Sequence, residues 1–408
     1  MNHNVVARRG ARRSGRVSLA VLGALLMSTA LAAPAALADG PGVGTPTVVS
    51  VGDSYISGEA GRWAGNTNGS SNNTDAGGSG AYNDAGSSEA IARCHRSTAA
   101  EIHIGGGIAS KNLACSGAKV ATVAGSDFKP GLDFYNGSAG QGQALALQSY
   151  AATHNVQMIN LSIGGNDFNF ASIVQTCVSD WLLSPSWWKD YCNDDSSVTA
   201  NFTASNISSK TTLIKNGILN ISTAMANAGY NTSQYAIVVQ DYPSPLPGGS
   251  GFRYGESGYT RQNTGGCGFW NNDANWANNT ALPTINNAVK NGAAQTGLPN
   301  IKIMELQATM NGRRLCENTV GLLEEKGLAT WQSAGAVDKS EWIEQIRTVS
   351  TVFGPYFVQE SLHPNWWGEK AVRNCVRQAY NGGAPRGGTC TRTATGLNAN
   401  GEPNMTLQ

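Results

Sequence analysis

The chain has 408 residues, with 28 Lys and Arg against 27 Asp and Glu and a formal net charge of +1. Only 13% of residues are charged, while Gly alone contributes 50. Beyond the first residues no basic cluster is present that could track phosphates, which speaks against nucleic acid as a partner.

In chain order, residues 1–38 read as a secretory leader. Arg8, Arg9, Arg12, Arg13 and Arg16 form a basic start, Val17 to Ala32 is apolar, and Ala36-Leu37-Ala38 is a small-residue cleavage site. A membrane anchor fits less well, because the apolar core is short and ends in Ala33-Pro34-Ala35-Ala36. The paired arginines allow twin-arginine export, but no clean motif follows them, so the general secretory route is favoured. Without its five arginines the chain carries 23 basic against 27 acidic residues, a net −4. The expectation is a secreted monomer with no stable membrane anchor, a single domain over 39–390 and a coil-like tail over 391–408.

Five strands are predicted at Thr47–Val51, Asn112–Cys115, Gln157–Ser162, Tyr235–Gln240 and Asn300–Leu306. Helical patterning falls between them at Gln143–Tyr150, Thr211–Ala228 and Leu282–Ala294, with a final helix at Trp366–Tyr380. Alternating strands and helices imply an α/β fold, a parallel sheet covered on both faces. Length beyond that frame sits in three insertions. Ala64–Ser88 is rich in Gly, Ser and Asn and reads as irregular loop near the serine of the first strand end. Cys177–Cys192 encloses Trp181, Trp187 and Trp188, and Pro243–Asn279 mixes Pro, Gly and aromatic residues.

Chemistry gathers at the strand ends. Gly52-Asp53-Ser54 closes the first strand and puts a serine on a strand-to-helix turn, at the sheet edge where open α/β folds place ligands. Ala114-Cys115-Ser116-Gly117, Ile163-Gly164-Gly165-Asn166-Asp167 and Glu360-Ser361-Leu362-His363-Pro364 follow in order. A serine needs a base to become a nucleophile, and histidine suits that task. Beyond the leader the histidines are His95, His103, His154 and His363, and only His363 has a carboxylate three residues before it. The other three read as surface or structural residues, and Asp53 and Asp167 as turn braces.

Over these four blocks the chain resembles the SGNH (GDSL-like) hydrolases, and the wording of the first and last blocks is most similar to their secreted actinobacterial lipases, phospholipases and esterases. The resemblance runs from about Pro46 to Tyr380. It implies a three-layer α/β/α sandwich whose five-stranded parallel sheet has the flavodoxin-like order 2-1-3-4-5. It implies Ser54 as nucleophile and His363 as base. The Ser54 and Gly117 N–H groups and the Asn166 amide are implied as the oxyanion hole. The family carries Asp where this chain has Glu360. Glu360 is therefore expected as the third catalytic member, against the alternative of a Ser–His dyad in which a backbone carbonyl orients the ring and Glu360 faces solvent.

The eight cysteines, Cys94, Cys115, Cys177, Cys192, Cys267, Cys316, Cys375 and Cys390, are an even number in an exported chain and read as disulfides. Sequence allows 105 pairings. Pairing of sequential neighbours is chosen because it closes local loops, and the first three such pairs are similar to the family branch. The implied activity is hydrolysis of small-molecule or lipid esters without metal or organic cofactor. Feruloyl or acetyl esters of plant polysaccharide are the alternative substrates. An extracellular glycan-binding module with a relict serine site is the alternative of another class.

Overall fold

The computed structural model describes residues 39–347 and 359–408; the leader expected over 1–38 lies outside them. Seven strands make one sheet. In chain order they are β1 (Pro46–Gly52), β2 (Ala109–Asn112), β3 (Asn155–Ser162), β4 (Ala236–Gln240), β5 (Ile301–Glu305), β6 (Gly388–Leu397) and β7 (Pro403–Leu407). Their spatial order is 2-1-3-4-5-6-7. All neighbours are parallel except the antiparallel pair β6–β7.

The period-2 alternation of a strand sends successive side chains to opposite faces, and two cores result. Val49, Val51, Ile159, Leu161, Ile237 and Val239 face one way. They pack against α2 (Gln143–Ala151), α4 (Ala204–Asn227) and α5 (Leu282–Ala294) through Leu147, Ile214, Ile218, Ile221, Ile285 and Val289. Val48, Met158, Val238 and Met304 face the other way, toward Ala371, Val372 and Cys375 of α6 (Trp366–Tyr380). The two remaining helices that matter here are α1 (Ser54–Ser57) and α3 (Phe170–Leu183).

Two expectations about the sheet are corrected. It has seven strands, not five, because the segment expected as a C-terminal coil forms β6 and β7 and adds to the edge at Met304↔Gly388 and Glu305↔Thr389. Alternating β-branched residues at Thr389, Thr391, Thr393 and Thr395 suit a pleated edge, and the Cys375–Cys390 disulfide ties β6 to α6. The second strand lies at Ala109–Asn112 rather than Asn112–Cys115. Leu113 and Cys115 still donate to Ser50 and Gly52 of β1, at 2.9 and 3.1 Å. Their segment leaves the ladder because Arg96 occupies the Leu113 and Ala114 carbonyls at 3.0 and 2.7 Å, and Cys115 is bonded to Cys94.

Candidate active site

Gly52 ends β1 with φ +137, and a Cβ there would meet the Ser162 carbonyl oxygen at 1.9 Å, so only glycine lets β1 approach β3 so closely. The Gln143 side chain brackets that residue like a short strand, accepting from its N–H at 2.6 Å and donating to its carbonyl at 2.8 Å. Asp53 then caps α1, accepting from the Tyr55 N–H at 3.2 Å. Its other oxygen accepts from the Tyr242 hydroxyl, which itself accepts from Gly165 N–H at 2.9 Å. Burial pushes the Asp53 carboxyl up to about 7, although the Tyr242 hydrogen bond pulls the other way. Asp53 is thus a brace between the first and third motif loops, and Asp167 likewise accepts from Val120 N–H at 3.2 Å.

Ser54 and His363, 309 residues apart in sequence, meet with Oγ 2.7 Å from Nε2. The ring's Nδ1–H donates to the Ser361 carbonyl at 3.0 Å. Leu362 between them takes φ +63, a left-handed conformation unusual for a leucine. The loop around it is held firmly. Its carbonyl accepts from Tyr55 OH at 2.8 Å, its N–H donates to the Glu344 carbonyl at 3.0 Å, and Glu344 N–H donates to the His363 carbonyl at 2.9 Å. The Tyr55 ring packs on the imidazole with centroids 4.8 Å apart. Burial lowers the pKa of His363, with the Glu59 carboxylate opposing. A neutral ring with Nε2 aimed at a serine hydroxyl is the state a general base requires.

Glu360 is not brought to the histidine. Its carboxylate accepts from Trp63 Nε1 at 2.8 Å and from the Tyr82 hydroxyl, both on or beside the Ala64–Ser88 insertion. The expectation of Glu360 as the catalytic acid is therefore corrected: the Ser361 carbonyl occupies the place that acid would take. The alternative arrangement, a backbone carbonyl on the ring, matches this placement except that Glu360 is buried rather than facing solvent. Burial, reinforced by the charge of Glu59, pushes its carboxyl up to about 7.

Gly117 and Asn166 line the same cleft as Ser54 and His363. Gly117 takes φ +78, and its loop is fixed by the Cys94–Cys115 disulfide and by Ser116 N–H donating to Cys94 O at 3.0 Å. Ser54 N–H is at the first turn of α1, where a helix leaves its amides unspent. Neither it nor Gly117 N–H donates to a protein acceptor among the described residues. Asn166 holds its amide in place by donating one hydrogen to the Ala118 carbonyl at 2.9 Å, which leaves the second for a ligand.

One buried pair escaped the sequence reading. His95 takes the structural one of the two roles expected of it, with Nδ1 2.5 Å from Glu59 Oε1 and both side chains fully buried; it is the Glu59 partner that sequence did not indicate. Tyr82 stacks on the ring at 4.5 Å and reaches Glu360 through its hydroxyl. Glu59 N–H in turn donates to the Ser54 carbonyl at 3.3 Å, so this cluster ties the Ser54 turn to the His363 loop. No spacing signal links residues 36 positions apart in loops, which is why it was missed.

The cleft has a volume of about 470 Å³. One wall is α3, which presents Phe170, Val174, Val178 and Leu182 at four-residue steps, one face of the helix. Arg347, Gln359 and Ser361 contribute polar groups near the histidine. The four disulfides join Cys94–Cys115, Cys177–Cys192, Cys267–Cys316 and Cys375–Cys390. No helix among the described residues is long and apolar enough to cross a membrane.

No family model and no curated protein matches the chain. Solved structures similar to it include an extracellular lipase from Streptomyces rimosus, at 19% identity and TM-score 0.42, covering 79% of this chain and 94% of that one. Phospholipase A1 from Streptomyces albidoflavus is similar at 16% identity and TM-score 0.41, covering 81% and 99%. A carbohydrate acetylesterase from Sinorhizobium meliloti follows at 11% identity and TM-score 0.29, covering 68% and 92%.

Proposed function

We propose that the protein is a secreted serine ester hydrolase of the SGNH type, acting on esters with an extended apolar acyl group. The observation that carries this reading is the 2.7 Å contact of Ser54 Oγ with His363 Nε2 at the base of the α3-walled cleft.

In this reading Ser54 Oγ attacks the ester carbonyl carbon while His363 Nε2 takes its proton. The Ser361 carbonyl holds Nδ1–H, fixing the tautomer that leaves Nε2 free to accept. The oxyanion is met by the Ser54 and Gly117 N–H groups and the spare Asn166 hydrogen. Collapse expels the alcohol with the proton from Nε2 and leaves an acyl-Ser54 ester. Water then attacks with His363 again as base, releasing the acid and restoring Ser54. The apolar row Phe170, Val174, Val178 and Leu182 spans about 18 Å at the helical rise. That row supports a long acyl chain over an acetyl group, which would leave most of it against water. The disulfides and the basic-apolar-small leader pattern support export.

The test is a serine-directed phosphonate and an ester panel spanning acetyl, long acyl, phospholipid and feruloyl groups. Wild type should be labelled, and Ser54→Ala should be neither labelled nor active. Asn166→Ala should lower kcat by roughly 10²–10³, the loss of one oxyanion donor. Full activity in Ser54→Ala would end the reading, and a preference for acetyl or feruloyl esters would overturn the assignment of the cleft.

A further inference from the structure

The apolar wall of the cleft runs out onto the surface. Leu182, the last of its row, is followed by Leu183 at 85% exposure, Trp187 at 83% and Trp188 at 75%. The next most exposed large apolar side chain among the described residues is Leu397 at 43%. Single exposed apolar residues are ordinary, but a cluster of two tryptophans and two leucines marks a surface that meets something.

The segment is built to present these rings. Trp188 N–H donates to the Pro185 carbonyl at 2.9 Å and Asp190 N–H to Ser184 Oγ at 3.0 Å. Lys189 pairs with Glu256 at 2.5 Å and lies over the Trp270 ring, and the Cys177–Cys192 disulfide closes the segment at its base. Trp181 turns inward and packs on Trp270 with centroids 4.2 Å apart. The same segment thus anchors itself with one tryptophan and exposes the other two, whose rings lie 6.5 Å apart.

We propose that Leu182, Leu183, Trp187 and Trp188 form a docking surface for the neutral or zwitterionic face of aggregated lipid, setting the mouth of the cleft on the lipid–water boundary. This rests on the ester-hydrolase reading and names the physical form of its substrate. Indole rings favour such a boundary, where an apolar body and a polar N–H are both accommodated. Charge selects the kind of surface. Asp180, Asp190, Asp194 and Asp195 lie in or beside the same segment and act on one another, and Lys189 within it is already paired with Glu256, so an anionic surface is disfavoured. Position argues against a second copy of the chain as occupant: a protein seated on Leu182 covers the route to Ser54, whereas a lipid layer delivers its ester along it.

The experiment compares wild type with Trp187→Ser/Trp188→Ser in flotation with phosphatidylcholine vesicles, and in turnover of vesicle lipid and of a soluble butyrate ester. Wild type should float, and the double variant's partitioning should fall about a hundredfold, roughly tenfold for each ring no longer leaving water. Vesicle turnover should fall with it, soluble-ester turnover and melting temperature should not, and Trp187→Phe/Trp188→Phe should retain most of the binding. Equal flotation of wild type and the Ser variant overturns the proposal. So does a wild type that cleaves soluble ester without floating, or a wild-type dimer that the Ser variant dissolves while vesicle binding is unchanged. Loss of soluble-ester turnover in wild type would fall on the catalytic reading alone, since flotation scores the surface independently.

Discussion

Replacing Glu360 by Gln separates a carboxylate that stabilises the imidazolium from one that only shapes the loop. The carboxylate touches Trp63 and Tyr82, and the ring nitrogen a triad acid would hold is already donating to Ser361 O at 3.0 Å. A glutamine can still accept from Trp63 Nε1, and the Tyr82 hydroxyl can turn to accept from the new amide. The loss in kcat should then stay under about tenfold, ~1.4 kcal/mol of barrier. An acid that truly paired with the ring has a precedent of roughly 10⁴ on amide replacement. Glu360→Ala should behave differently, because it removes the carboxylate that the buried Trp63 N–H and Tyr82 O–H donate to, at about 1–3 kcal/mol for each hydrogen bond lost. It should lower the melting temperature and loosen the Ser361 carbonyl. The assay is kcat on a soluble ester beside thermal unfolding, with an inactive His363→Ala as control. A Glu360→Gln enzyme that folds normally yet loses three orders of magnitude in kcat would refute the reasoning and restore a triad.

Two further outcomes follow from burial and from loop length. His363 must be neutral to accept the serine proton, and burial lowers its pKa against the opposing Glu59 charge, so activity should be lost only as pH falls below the ordinary histidine value of about 6.5. A kcat/KM profile whose acid limb lies at or above that value would contradict this, and a limb that moves in Glu360→Gln belongs to Glu360, whose carboxyl sits near 7. Among the disulfides, Cys267–Cys316 closes 49 residues and Cys375–Cys390 closes 15, so paired Ala substitution should destabilise by about 4 and about 3 kcal/mol respectively. Denaturant unfolding of the two double variants gives the comparison, and a reversed order would show that local packing outweighs chain entropy.

Much of the fold was legible because its central strands are buried. Thr47–Val51, Gln157–Ser162 and Tyr235–Gln240 are largely apolar runs that a parallel sheet covered on both faces demands, and they fall on β1, β3 and β4; Asn300–Leu306 falls on β5, which is half-buried apart from Met304. Leu282–Ala294 and Trp366–Tyr380 match α5 and α6 to the residue, the latter capped by Asn365 on the N–H groups of Trp367 and Gly368. The same criterion failed at the sheet edge. β6 and β7 carry Thr and Asn on a partly solvated face, so apolar content was low, and only the alternation of threonines around an Asn398–Gly401 turn marked a hairpin. At β2 the apolar Leu113–Cys115 drew the strand three residues too far, because the Arg96 contacts that take its carbonyls come from a loop with no periodic signal.

The site shows a similar division between position and direction. Sequence places a residue along the chain, and turn chemistry can say that Ser54 stands at a strand end and His363 just before a helix. It says nothing about where a side chain three residues from the histidine will point. That direction depends on Leu362 adopting φ +63 and on Tyr55, 307 residues away, holding the Leu362 carbonyl. With the main chain turned in that way, Ser361 O faces the ring and the Glu360 side chain faces Trp63 and Tyr82. A buried carboxylate aimed at the imidazole would need other hydrogen-bond donors to remain charged, and this loop supplies its donors on the far side. A main-chain carbonyl orients the same nitrogen without a second buried charge, so the physical cost of a triad acid is avoided while the tautomer is still fixed. On the proposed reading Glu360 would act on turnover only through the shape of the loop, which is why its replacement by Gln and by Ala should part company.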